Sequence, residues 1–228
     1  MKIKHLLDNP VWSAQISGNK GLALGNIVAK YFPLDMSPFV GLNDFSKENF
    51  DILYETIPFD NPVAIFTNKK NLITNPWKII NRIEGYQMVY PNYKEENISE
   101  TQIERINGLH IQEMLSLVKL TNPGPFLPRT IDFGNYEGIF NEKKLIAMAG
   151  QRLHSGNYVE ISTVCTHPHY IGMGYARELI MNQIGLIQRH GKTPYLHVKE
   201  DNARAIKIYH SMGFITRTKI TIYILKKQ

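Results

Sequence analysis

The sequence predicts an α+β protein: a mostly antiparallel mixed sheet flanked by helices, preceded by a smaller α/β N-terminal unit. Three observations predict it. Three strand-like segments joined by tight turns fill residues 136–166, the pattern of antiparallel hairpins. Two helix-like segments then alternate with strands up to the C-terminus. Ahead of residue 100, shorter helix and strand signals alternate. The length of 228 residues suits one large domain or two small ones.

Taken in order, "DNPVW" offers a helix start, with Asp8 or Asn9 as cap and Pro10 in the first turn. "SKENFDILYETI" reads as a short helix capped by Ser46, and "NPVAIFTN" and "GYQMVYP" read as strands. The polar stretch Pro91 to Ser99 reads as a linker, and Ser99 with Gln102 makes a capping box. These set a soft boundary near residue 100, with an N-terminal unit over 1–100 and a second over 101–228. Helical material, "ETQIERINGLHIQEMLSLVKL", and a proline-rich loop, "TNPGPFLPRT", follow. "YEGIF", "LIAMAGQRL" and "YVEISTVCT" are the hairpin strands. After a glycine segment, Ala176, Ile180, Ile184 and Ile187 recur at spacings of 4, 4 and 3, an apolar stripe for a helix closed by Gly191. "PYLHVKE" is a strand, "NARAIKIYHSM" a helix ended by Gly213, and "FITRTKITIYIL" one or two final strands.

The segment "HPHYIGMGYARELI" carries the chemistry. Gly172 and Gly174 remove side chains just where a helix begins. Backbone N–H groups can then close on a ligand, and the helix start adds free donors and the positive end of its dipole. Such a place suits a diphosphate. The rival reading is a plain strand-to-helix turn. A dinucleotide fold would need a third glycine where Arg177 stands, and a parallel first strand. Its acidic candidates, Glu200 and Asp201, also lie too far along the chain. A P-loop would need a G-K-[ST] sequence, which is absent. Charge agrees with an anionic ligand. Residues 1–100 carry 10 Lys/Arg and 11 Asp/Glu, whereas residues 101–228 carry 16 and 9. Neither aromatic-basic interleaving nor a Cys/His finger favours nucleic acid.

"VCTHPHYIGMGYARELI" followed by "LHVKEDNARAIKIYHSMGF" resembles the GNAT superfamily of acetyl-CoA-dependent N-acetyltransferases. The first stretch is similar to its [Q/R]-x-x-G-x-[G/A] pyrophosphate motif, with Gly174 and Ala176 in the last two defined places. The second is similar to its N-x-x-A-x-x-x-Y-x-x-x-G-F pattern through Asn202, Ala205, Tyr209, Gly213 and Phe214. The resemblance covers about Tyr136 to Leu225, and its C-terminal pattern looks closest to the branch that includes glycine N-acyltransferase-like proteins. Residues 1–100 would then be a degenerate domain of similar fold. Ile171 departs from the usual Arg or Gln of the motif, which should weaken the cofactor site somewhat while backbone donors from Gly172 to Ala176 remain; Arg177 and Arg204 are the candidates to compensate.

The resemblance implies acetyl-CoA as cosubstrate, no metal, and direct transfer to a primary amine within a ternary complex. It implies a GNAT-like sheet, with Val164, Cys165 and Thr166 pairing with the pantetheine arm through their backbones. Ile171, Gly172, Met173, Gly174, Tyr175 and Ala176 would hold the diphosphate, and Asn202, Ala205 and Tyr209 would line the arm. Glu160 is implied as the base, with a pKa raised by a partly apolar cleft. Tyr209 is implied as the acid toward sulfur. A non-catalytic acyl-CoA-binding module is the alternative. Cys165 lacks the spacing of a nucleophilic triad, and His167 with His169 is too small a set for a metal. Ser162 reads as packing or a contact to substrate, and Arg129 as a solvated turn residue or a partner for an acceptor carboxylate. The acceptor class stays open: a small amine, an amino acid or a peptide. One cysteine and a basic start without an apolar leader point to the cytoplasm. No run of eighteen apolar residues points to a membrane, and the strand "ITIYIL" suits either a core or a dimer edge.

Overall fold

The computed structural model describes residues 5–69, 72, 74–92 and 102–228. A 3-10 turn, Leu6–Asp8, leads into α1, Pro10–Gln15, with Asn9 as N-cap and Pro10 at the first position. Three short strands follow, β1 (Leu24–Gly25), β2 (Ala29–Tyr31) and β3 (Val40–Leu42), which pair into a small antiparallel sheet. Then come α2 (Lys47–Thr56), capped by Ser46 as expected, β4 (Val63–Thr67) and β5 (Trp77–Val89). The expected linker and its Ser99 capping box fall mostly outside the described residues.

The second half holds β6 (Glu104–Arg105), α3 (Ile111–Thr121), β7 (Glu137–Asn141), β8 (Lys144–Ser155), β9 (Tyr158–Thr166), α4 (Tyr175–Arg189), β10 (Thr193–Lys199), α5 (Ala203–Met212) and β11 (Ile215–Lys227). The helix expected from about residue 102 starts later, at Ile111. Asn107 and Gly108 favour a turn over a helix, and the Asn107 side chain accepts from the Leu109 amide. Residues 104–105 pair instead with β7 as an edge strand. The β7–β8 turn places Glu142 and Lys143 at φ 47° and 66°, the geometry of a two-residue hairpin turn. Gly191 and Gly213 close α4 and α5 at φ 65° and 105°.

The main sheet has eight strands in the order β4-β11-β5-β10-β9-β8-β7-β6. The expected mixed, mostly antiparallel sheet is present, and among the described strands β9–β10 is the parallel pair. A parallel pair needs a crossover, which α4 provides. The sheet also runs across the boundary that the sequence suggested near residue 100. β5 lies between β10 and β11, and β11 lies between β4 and β5. Hydrophobic pattern marks a strand but not its partner, so this long-range insertion was not legible locally.

Helices α4 and α5 cover one face through Ile180, Ile184, Ile187 and Met212, which pack on Val159, Ile161, Leu196 and Val198. The N-terminal segment covers the other face with Leu7, Val11, Phe32, Met36 and Phe39. Helix α2 and the small sheet close the β4 end, and α3 closes the β7–β8 end. At Gly85, in the inserted strand, an added Cβ would lie 2.5 Å from the Val198 carbonyl oxygen of β10. Backbone cannot yield as a side-chain tip does, so Gly85→Ala is expected to destabilise the protein by about 1–3 kcal/mol. A urea titration checks this; an unchanged midpoint would mean that β5 sits less tightly against β10.

Candidate active site

The site begins where two strands part. Parallel pairing of β9 with β10 covers Tyr158↔Thr193, Val159↔Pro194 and Glu160↔Tyr195 and then stops. Both strands continue, β9 to Thr166 and β10 to Lys199. From Ile161 to Thr166 the β10-facing edge of β9 has no strand partner among the described residues. An extended amide-bearing ligand can add along such an edge. A bulge lies in the same stretch: the register shifts between Gly150↔Ser162 and Met148↔Cys165. There Thr163 takes φ 54°, a strained value for a β-branched residue. The expected arm-binding residues lie here. Val164 is half-buried, and Cys165 faces inward with its thiol pushed up to about 12 by burial, which removes it as a nucleophile. Thr166 keeps a buried hydroxyl oxygen without a partner among the described residues.

Beyond β9, the 3-10 turn Pro168–Tyr170 leads to the glycines. Gly172 and Gly174 have φ 94° and 88°, and an added Cβ at either would meet nothing within 4 Å. Their glycine character therefore answers to backbone conformation, not to crowding. Gly174 is the N-cap of α4 and offers no capping side chain. Among the described residues, the amides of Gly172, Gly174, Tyr175 and Ala176 find no acceptor. Four free donors at the start of a 15-residue helix form an anion seat. Ile171, Met173 and Arg177 are exposed along the same stretch, and Arg204 in the first turn of α5 is exposed as well.

On α5, the Asn202 side-chain oxygen accepts from the Ala205 amide at 3.1 Å, so it caps the helix. Ala205 and Tyr209 pack together with Val164 on the cluster around Ile161 and Leu196, which brings the expected face to the parted strands. Burial pushes the Tyr209 phenol up to about 12, so it keeps its proton through neutral pH.

Glu160 departs from expectation. It is fully buried, and its carboxylate is already clamped. Arg152 Nε donates to Oε2 at 2.9 Å, Arg152 Nη2 to Oε1 at 2.7 Å, and His197 Nδ1 lies 2.7 Å from Oε1. Burial alone would raise its pKa. The Arg152 charge and the hydrogen bonds from His197 and Arg152 outweigh burial and bring it down to about 2. The raised pKa expected of a base in an apolar cleft is thus reversed, because the cleft supplies a cation.

Arg152 and His197 were not singled out in the sequence. A hairpin closed by Ser155↔Tyr158 would set Leu153 opposite Glu160. A bulge in β8 shifts the register to Gln151↔Ile161, which brings Arg152 opposite Glu160 on the same face. His197 arrives from β10, 37 residues away.

The remaining candidates have structural partners. His167 Nδ1 accepts from the His169 amide at 3.3 Å, and no group of three His, Cys, Asp or Glu suited to a metal occurs among the described residues. Arg129 pairs with Asp132 at 2.9 Å and Asp35 at 3.7 Å, tying two loops together. Ser162 is buried. Glu200 is exposed and paired with Lys219 and Tyr86. No described helix is long and apolar enough to cross a membrane.

A family model for FR47-like proteins matches residues 136–223, from just before β7 into β11. No curated protein matches the chain significantly. Among solved structures, a Novosphingobium aromaticivorans protein assigned to the GNAT family of acetyltransferases aligns over 99% of this chain and 100% of its own, at 27% identity and TM-score 0.91. A GCN5-related N-acetyltransferase from Kribbella flavida covers 94% and 93% at 11% identity, TM-score 0.62. A GNAT-family acetyltransferase from Colwellia psychrerythraea covers 88% and 82% at 16% identity, TM-score 0.53. The latter two share the fold alone. The first likeness runs end to end through both chains and includes the strands ahead of the matched segment. The FR47-like segment and this end-to-end likeness support a GNAT-superfamily N-acetyltransferase, a superfamily whose common chemistry is acyl transfer from acetyl-CoA.

Proposed function

We propose that the chain is an acetyl-CoA-dependent N-acetyltransferase that passes the acetyl group directly to a primary amine, as a small molecule, amino acid or peptide, in a ternary complex. The observation that carries this is the parallel pair that ends at Glu160↔Tyr195 and opens toward four free amides at the start of α4. Acetyl-CoA supplies the acyl group as a thioester. The free edge of Ile161–Thr166 holds the pantetheine arm, and Gly172 to Ala176 hold the diphosphate. Backbone donors do not depend on the side chain at position 171, so Ile171 in place of Arg or Gln leaves the seat intact.

The residues then divide the work. Tyr209 keeps its proton and donates a hydrogen bond toward the departing sulfur. Complete proton transfer is uphill, since a thiol ionises near ~8.5 and this phenol far higher. Glu160 holds no proton at neutral pH. The amine, with a pKa of roughly 10, therefore attacks from its own neutral fraction. Expected outcomes follow for kinetics. The pH profile of kcat/KM should rise with pH and its inflection should move with the acceptor's amine pKa across an acceptor series. An inflection fixed near pH 6–7 whatever the acceptor would restore Glu160, or another group, as the base.

Two substitutions test the seat and the phenol separately. Gly174→Val forces a β-branched residue into φ 88°, and the strain of roughly 1–2 kcal/mol should appear as about a tenfold or greater loss of CoA affinity in calorimetry. Tyr209→Phe should lower kcat by about 10–100-fold and leave CoA affinity unchanged; full turnover with the phenylalanine would remove its role.

The sealed Glu160 favours one second reading, an acyl-CoA-binding module without turnover. Release of free thiol from acetyl-CoA with an amine panel separates the two. Thiol release above hydrolysis supports the transferase, and tight CoA binding without release supports the module.

A further inference from the structure

Glu160 belongs to a longer chain of polar groups than the acyl transfer explains. Beyond His197 the chain continues to Gln87 of β5, Arg217 of β11 and Asp8 of the N-terminal turn. Gln87 Nε2 lies 3.0 Å from His197 Nε2 and donates to the Leu7 carbonyl oxygen at 3.0 Å. Gln87 Oε1 accepts from Arg217 Nη1 at 3.1 Å. Arg217 Nη2 donates to Asp8 Oδ1, which also accepts from Asn68. Gln87 is fully buried, and Arg217 and Asp8 bring the chain out to partly exposed positions.

This arrangement fixes an orientation that side-chain amides otherwise leave open. If Gln87 were turned over, its N–H₂ would face the Arg217 guanidinium and its oxygen the Leu7 carbonyl, donor against donor and acceptor against acceptor. The amide nitrogen must therefore point at both Leu7 and His197. A group that donates to His197 Nε2 requires that nitrogen to be unprotonated. The ring proton then sits on Nδ1, where it meets Glu160.

We propose that Gln87 is a positioning residue of this site: it holds His197 as the Nδ1–H tautomer, so that His197 and Arg152 present Glu160 as a fixed anion with one acceptor position left on Oε2. Oε1 takes two hydrogen bonds and Oε2 takes one, and each carboxylate oxygen can accept two. Glu160 is fully buried, so no acceptor amine reaches that position directly; the clamp instead fixes the point where β9 and β10 part, and with it the wall of the cleft that the incoming amine meets. That use rests on the acyltransferase reading above; the tautomer does not. The other charged or titratable groups around His197 and Glu160 are Arg152 and His154 of β8, Tyr136 ahead of β7, Tyr195 of β10, Arg217 of β11, and Asp8 with His5 of the N-terminal segment. Tyr195 is a buried phenol pushed well above its ordinary range by that burial, so it adds no charge.

The test reads the ring nitrogens of His197 directly. In the full chain, with ¹⁵N-labelled histidine and His197→Gln for assignment, long-range ¹H–¹⁵N spectra near neutral pH should show His197 protonated on Nδ1 and bare on Nε2. A proton on Nε2, or on both nitrogens, overturns the assignment whatever the activity. Gln87→Glu replaces the donor with an acceptor and should draw a proton to Nε2. With an amine that wild type acetylates, kcat/KM for the acceptor should fall by at least about tenfold, with CoA affinity unchanged. Arg217→Met, which frees Gln87 to turn over without touching the core of the chain, should shift the spectrum the same way by a smaller amount. An altered tautomer with unaltered acceptor kinetics in Gln87→Glu sinks the positioning role. A wild type that acetylates no amine but shows the Nδ1–H tautomer sinks the acyltransferase reading and leaves the tautomer standing.

Discussion

A carboxylate can stay ionised at the centre of a sheet only if donors replace the water it lost, because an unpaired buried charge is destabilising by several kcal/mol. Glu160 obtains its donors from strands on both sides. Arg152 comes from β8 and His197 from β10. His197 is in turn held by β5, and β5 by β11 and the N-terminal turn. That one anion therefore ties together parts of the chain from residue 7 to residue 217. It gives a physical reason for β5 to lie inside the sheet: Gln87 reaches His197 because β5 pairs with β10 at Gln87↔His197.

Two irregularities in the strands serve the same centre. The bulge in β8 sets Arg152 opposite Glu160, and the bulge in β9 places Thr163 in a left-handed conformation just past the last paired residue. A regular ladder would have turned Arg152 to the α4 face, where Gln151 now bonds Gln183, and would have left the carboxylate without its cation. Bulges re-aim side chains at functional places, and here both fall within three residues of the point where β9 and β10 separate.

Local signals in the sequence were the ones that could be read. The glycines before α4, the Gly191 and Gly213 closures, the Ser46 cap and the β7–β9 hairpins all depend on residues a few positions apart, and all are present. What escaped depends on distance along the chain. Nothing near "GYQMVYP" says that it pairs with residues 195–199 and 215–220. The charge at Glu160 was legible, but its environment was not: a lone acidic residue in an apolar strand looks like a base with a raised pKa, and only the register slip in β8 reveals the cation. The start of α3 was misplaced because Asn107-Gly108 lies inside an otherwise helical pattern.

The pleat of β9 gives the site two unlike faces. Val159 and Ile161 face α4 and α5, whereas Glu160 between them faces the N-terminal segment with Phe39, beneath the guanidinium of Arg152. The glycine seat and Tyr209 lie on the helix side, so on the acyltransferase reading the arm of the donor comes from there, whereas the side that Glu160 faces is closed by the N-terminal segment. That other side is built by residues outside the 136–223 match. Segment 32–39 is joined to the loop before β7 through the Arg129 amide to Asp35 O at 3.0 Å and the Thr130 hydroxyl to Met36 O at 2.7 Å. Phe32 stacks edge-on against Phe133. On the acyltransferase reading, the matched segment then carries the shared chemistry of the donor, and the choice of acceptor falls to the first 135 residues.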